Sequence, residues 1–148
     1  ATVVMTRTEN DVKISNKERA ELFNLYEVDL GIRLHCNGRA NHDKRGCFML
    51  VPTEGRTTHF AENVRLAECI IAAYTEATGL SMAYEGGITY RSDQTGFNWC
   101  TRPIVNIEMG HLTNAEEDAL LTSADFQARM AQGIYNGIVA YFAAAEQG

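Results

Sequence analysis

The chain has 148 residues, 45% of them apolar and 22% charged, which is the balance of one globular domain long enough to bury a core. Its net charge of -6 excludes a dedicated nucleic-acid binder: beyond Lys44-Arg45 and nearby Arg39, no basic stripe is left to neutralise phosphates. No apolar run reaches the roughly 20 residues of a membrane span.

The chain opens on "TVVMTR" without a signal peptide, which reads as an internal fragment or a processed product. The β-branched and apolar residues Thr2 to Thr6 predict a strand. Ser15-Asn16-Lys17-Glu18 fits a capping box, and the helix it starts carries Ala20, Leu22, Phe23 and Val28. That helix leads into "VDLGIRLHCNG", residues 28 to 38, where Leu30, Ile32 and Leu34 alternate with Gly31, Arg33 and His35 before an Asn-Gly turn. Strand, helix, strand is a βαβ unit, which favours a parallel sheet.

A polar loop, "GRANHDKR", precedes the buried strand "GCFMLV", which Pro52 stops. From Phe60 to Thr78 apolar residues repeat at helical spacing, and Gly79 is a natural C-terminal stop. Residues 81 to 102 read as a loop with one short strand, and "PIVNIE", 103 to 108, as a strand opening on proline. Thr113 and Glu116 fit a second capping box. A last helix spans Ser123 to Ala145, with Phe126, Met130, Ile134, Ile138 and Phe142 on one stripe and Gly133 and Gly137 allowing close packing. Strands alternating with helices predict a single α/β domain, a mostly parallel sheet flanked by helices.

Cys36, Cys47, Cys69 and Cys100 are widely spaced with no C-x-x-C pair, so they make neither a zinc ribbon nor a thioredoxin motif, and we expect mostly free, buried thiols. In an open α/β sheet ligands gather beyond the carboxyl ends of the strands. Two strands here end on ionisable residues, His35 and Glu108, which converge if the strands are parallel neighbours. A histidine with a glutamate is the minimum for metal-assisted hydrolysis. On the residues alone, His35 reads first as a hydrogen-bonded structural histidine, and Glu108 as a carboxylate paired with an arginine such as Arg102. His42, His59 and His111 fall in loops or turns without ligand spacing, so each reads as solvent-facing or structural. Cys100 beside Trp99 and near Arg102 is a weaker nucleophile candidate, whose thiol pKa a neighbouring cation would depress.

Several segments resemble one family. "VDLGIRLHCNG" resembles the "ADLFISIHANA" segment of the zinc-dependent N-acetylmuramoyl-L-alanine amidases, the Amidase_3 type of bacterial cell-wall hydrolases, and "RPIVNIEMGHLTNAEED" resembles their "PAVLVEMGFLSNPEED". "VVMTRTENDVKISNKERAELFN", with Arg7, Arg19 and Asn24, is similar to the family's strand, "TR" and helix; "TGFNW" and "FQARMAQGIYNGIVAYF" resemble later stretches in the right order. The resemblance implies that His35 is a zinc-binding histidine and Glu108 the general base. The reaction it implies is hydrolysis of the amide between N-acetylmuramic acid and L-alanine in peptidoglycan.

Family members begin with a strand ending in a "DPGHGG"-like turn, which supplies a first zinc histidine, and a helix that supplies a zinc glutamate. Neither segment is among these residues. Residues 1–148 therefore read as an amidase catalytic domain incomplete at its N-terminus, with His35 the one assignable ligand. Arg33 stands where the family commonly has serine, His111 where it has an aromatic residue, and Cys36 where it has a small one. The implied setting is extracytoplasmic, with peptidoglycan as partner and wall-binding domains elsewhere in the full protein. The alternative is a non-catalytic peptidoglycan-binding or regulatory module on the same fold.

Overall fold

Ser15 opens the first helix reciprocally with Glu18: its hydroxyl accepts from the Glu18 N–H at 3.2 Å, and the Glu18 carboxylate accepts from the Ser15 N–H at 2.8 Å. Two N–H groups without helical partners are satisfied this way. The structure, a computed structural model, describes residues 1–145. It runs α1 (Asn16–Leu25), β1 (Gly31–Asn37), β2 (Phe48–Pro52), α2 (Phe60–Thr78), β3 (Ile88–Arg91), α3 (Thr95–Asn98), β4 (Ile104–His111), α4 (Ala115–Leu121) and α5 (Ala124–Ala145).

The four strands form one sheet in the order β1-β4-β2-β3. The β1–β4 and β2–β3 pairs are parallel and β2–β4 is antiparallel, so the expected α/β domain with a mostly parallel, helix-flanked sheet is what the chain adopts. The strand "GCFMLV" forms as β2, with Pro52 as its last residue, and Gly79 ends α2 in the left-handed conformation at φ 75°.

Each strand sends alternate side chains to opposite faces. On one face Met49, Val51, Val105 and Ile107 pack under α2 and α5, forming the main core with Leu66, Ile70 and Tyr74. Tyr74 is wholly buried, and its hydroxyl donates to the Met109 carbonyl at 2.8 Å, tying α2 to the end of β4. On the other face a smaller cluster of Phe23, Phe48, Leu50, Phe97 and Ile104 lies under α1 and α3. Gly31 belongs to this second face, and a Cβ there would meet the Phe23 ring at 2.9 Å, so its bare backbone lets α1 lie close to β1.

Four local expectations are corrected. Thr2 to Thr6 is not a strand, and the first βαβ unit does not form. A strand exists only beside a hydrogen-bonded neighbour about 4.8 Å away, whereas a cavity of ≈ 700 Å³ is lined on one side by Val4–Arg7 and on another by Ile32–His35. The cap of α4 is Asn114, whose side chain accepts from the Glu117 N–H, and not Thr113 with Glu116. Residues 81 to 102 hold the short helix α3 as well as the expected strand β3. The buried stripe of α5 is Phe126, Met130, Gly133, Gly137 and Tyr141, and Phe142 is exposed. A strict four-residue step gains about 40° per repeat on a helix of 3.6 residues per turn, so the expected stripe drifts off the core.

Candidate active site

β1 and β4 pair in register, Arg33 opposite Asn106 and His35 opposite Glu108. Alternation puts all four side chains on the α1 and α3 face, with His35 and Glu108 nearer the strands' carboxyl ends. Across β4 from His35, Glu108 is also paired with Phe48 of β2. An imidazole and a phenyl ring thus flank the carboxylate.

This setting explains the electrostatics. Burial raises the Glu108 pKa above the usual carboxylate range, opposed by a hydrogen bond from Asn106 and by the charges of Arg33 and Arg39. Burial also lowers the His35 pKa, helped by the positive charges of Arg33 and Arg19. His35 is therefore biased to the neutral imidazole, the form that binds metals.

The Asn106 amide donates to Glu108 Oε1 at 3.1 Å. Glu108 Oε2 and Asn106 Oδ1 are buried without partners. A buried acceptor without a donor is costly, and in a native fold it marks a place where water or a ligand group completes the set. Arg102 does not pair with Glu108: its Nε donates to the Val28 carbonyl at 2.7 Å. Arg33 reaches the other way, donating to Asn16 Oδ1 and Gln94 Oε1, both at 3.0 Å.

The remaining candidates separate clearly. His111 is not in a loop but ends β4, almost fully buried. The Asn37 amide nitrogen lies 3.1 Å from its Nε2 and the Gly46 carbonyl 3.0 Å from its Nδ1, so Nδ1 carries the proton and the ring is structural. His59 Nε2 lies 3.2 Å from the Thr101 carbonyl, beside the start of α2. Burial raises the Cys100 thiol pKa, and its Sγ donates to the Arg102 carbonyl at 3.5 Å, so the setting does not support the nucleophile reading. All four cysteines are free; Cys47 is buried, with its thiol pushed up to about 12, and the other three are half-buried. Cys36 packs against the α2 side of the sheet, away from His35.

Asn106 was missed in the sequence. Its available signal is an asparagine inside the apolar run Ile104–Ile107, two residues before Glu108 and so on its face. The cavity beside His35 carries a second signal. Arg7, Arg19 and Arg33 line it, and no carboxylate does. Arg7 donates to the Asn10 carbonyl and Arg19 to the Ile14 carbonyl and Thr6 hydroxyl, so these contacts leave their charges uncompensated.

A catalytic zinc takes three protein donors and an open position. Among the described residues no group of three His, Cys, Asp or Glu side chains could hold an ion. These residues offer one suitable ligand, His35, and a carboxylate with a free oxygen; by themselves they do not make a complete zinc site.

With this geometry in view, the comparisons are specific. The Amidase_3 family, N-acetylmuramoyl-L-alanine amidase, matches residues 1–140. The catalytic domain of CwlV, an N-acetylmuramoyl-L-alanine amidase from Bacillus (Paenibacillus) polymyxa var. colistinus, is 28% identical with a TM-score of 0.82, over 95% of this chain and 72% of that one. The apo form of the amidase Ami1 from Mycobacterium abscessus is 29% identical with a TM-score of 0.85, over 93% of this chain and 66% of that one. Ami1 from Mycobacterium smegmatis, at 23% identity and a TM-score of 0.87, shares the fold over 95% of this chain and 67% of that one. A sequence comparison with curated proteins returns no match. The match across residues 1–140 is decisive: the chain belongs to the Amidase_3 family of N-acetylmuramoyl-L-alanine amidases.

Proposed function

We propose that this chain hydrolyses the amide between the lactyl group of N-acetylmuramic acid and L-alanine in peptidoglycan, in a zinc-dependent reaction outside the cytoplasm. The observation that carries the reading is the in-register pair of His35 and Glu108, with Glu108 Oε2 buried and free of partners. In this reading His35 is one zinc ligand. The other two come from polypeptide outside residues 1–148, seated in the cavity between Val4–Arg7 and β1; the uncompensated charges of Arg7 and Arg19 suit an acidic side chain arriving there.

An amide carbonyl is a poor electrophile, and zinc, when bound, polarises it and lowers the pKa of water from about 15.7 to about 7. The chain's own residues do the rest. Glu108 takes a proton from the attacking water on Oε2 and delivers it to the leaving nitrogen of L-alanine. Burial beside Phe48 raises its proton affinity, which suits both halves of that task. His35 stays neutral in the field of Arg33 and Arg19 and so keeps its ring nitrogen available to metal.

The test is digestion of purified peptidoglycan by the full-length protein loaded with zinc. New L-alanine amino termini, without new reducing sugar ends, are expected, and Glu108→Gln should remove them while zinc content stays unchanged. Tight binding to peptidoglycan with no cleavage by the zinc-loaded protein would favour a binding or regulatory module instead. Loss of zinc in Glu108→Gln would show that Glu108 is a ligand and not the base.

A further inference from the structure

β4 presents Ile104, Asn106 and Glu108 to one face and Val105 and Ile107 to the other. Asn106 is therefore a buried amide beneath the carboxylate, only 1% exposed. For packing alone an aliphatic side chain would serve better there, since Asn106 Oδ1 is buried without a donor. What the amide provides is a single directed contact, Nδ2 to Glu108 Oε1 at 3.1 Å.

The surroundings leave that contact to Asn106. Arg33, its register neighbour on β1, is the nearby cation best placed to grip a carboxylate in two-pronged fashion. Its guanidinium is instead held by Asn16 and Gln94. A Cβ at position 96 would lie 3.0 Å from Arg33 Nε, so Gly96 leaves room for this turned-away course. A guanidinium fork on Glu108 would occupy both oxygens. A neutral amide takes one and leaves the other free.

We propose that Asn106 is a positioning residue for the reaction: by fixing Oε1, it orients the Glu108 carboxylate so that Oε2 faces the reacting water and leaving nitrogen. This rests on the reading of Glu108 as the base. Asn106 touches no substrate itself and acts through Glu108.

The experiment measures amide cleavage and thermal stability for the full-length, zinc-loaded protein and four variants: Asn106→Leu, Asn106→Val, Glu108→Gln and Glu108→Gln with Asn106→Leu. Losing the orienting donor should lower kcat about 10- to 100-fold with KM changed less than about twofold. Asn106→Leu removes a buried acceptor that has no donor but also strips Glu108 Oε1 of the Asn106 amide, so the two effects oppose and the variant should melt within a few degrees of the unsubstituted protein. A purely structural residue would lose stability along with activity. Asn106→Val removes the amide without adding a charge and should show the same kcat loss, so it decides the matter if the leucine variant does not fold. The double variant should be no slower than Glu108→Gln alone. A kcat for both Asn106 variants within about threefold of the unsubstituted protein overturns the positioning role, while an inactive Glu108→Gln leaves the base intact. A double variant slower than Glu108→Gln also overturns it, since Asn106 would then act by another route. An active Glu108→Gln overturns the reading of Glu108 itself.

Discussion

His35 and Glu108 face each other in the parallel β1–β4 ladder, and burial drives both towards their neutral forms: the imidazole pKa falls and the carboxylate pKa rises. The raised group makes a signed prediction. Glu108 binds its proton more tightly folded than unfolded, so its contribution favours folding below the unfolded pKa of about 4.3 and is lost as pH rises through the folded value. At pH 7 the metal-free protein holds a desolvated carboxylate, and Glu108→Gln should melt a few degrees higher, at roughly 2–4 °C per kcal/mol gained. The gain should vanish below about pH 4. Melting curves of the two proteins from pH 3 to about pH 8 check this; a gap that persists at the acid end would trace it to packing.

Glu117 predicts the opposite response to the same substitution. Its two oxygens accept from the Gly46 N–H at 2.6 Å and the His111 N–H at 2.8 Å, and the side chain is buried. It thereby ties α4 to the end of β4 and to the loop before β2. Glu117→Gln turns one acceptor into a donor facing an N–H and should cost about 2–3 kcal/mol, with Glu117→Ala costing more. Urea unfolding midpoints measure this, and a change below about 0.5 kcal/mol would mean the loop finds other partners.

Gly137→Ala sets helix propensity against packing. Alanine favours a helix interior over glycine by about 1 kcal/mol. A Cβ at position 137, however, would stand 2.5 Å from the Ile70 Cα and 2.9 Å from the Cys69 carbonyl oxygen. Those are backbone atoms of α2, unable to rotate aside, so α5 must shift outward. Overpacking should win, with a net loss of about 1–3 kcal/mol in urea unfolding. An unchanged or higher midpoint would show that the two helices separate freely.

What the sequence made legible follows from range. The Ser15–Glu18 box and the Phe60–Thr78 helix with its Gly79 stop are local, set by residues within a few positions of one another. His35 and Glu108 were findable because each follows an apolar run shortly before a glycine; neither ends its strand as expected, since β1 runs on to Asn37 and β4 to His111, and their pairing required β1 and β4 to be neighbours across more than 60 intervening residues. The antiparallel pairing of β2 with β4, which places Phe48 beside Glu108, has no local signature at all. Thr2 to Thr6 has every intrinsic mark of a strand and is not one, because pairing is a property of two segments. Asn106 is the one polar residue in the apolar run Ile104–Ile107, and only the fold, by setting it against Glu108, gives that exception its meaning.

The outer edge of β1 makes the last prediction. The Gly31 N–H donates to the Pro103 carbonyl at 2.8 Å, towards β4. Alternation turns the amides of Ile32 and Leu34 the other way, to the edge lined by the cavity. In residues 1–148 alone these two amides should exchange with solvent deuterium far faster than those of Gly31 and Arg33, although all four lie on one strand. If a further segment of the full-length protein seats in the cavity as a strand, it closes that edge, and Ile32 and Leu34 should become as protected as their neighbours. Exchange measured residue by residue on both forms separates the outcomes. Fast exchange at Ile32 and Leu34 in the full-length protein would mean that the cavity stays open and that the further metal ligands proposed above do not arrive on a strand beside β1.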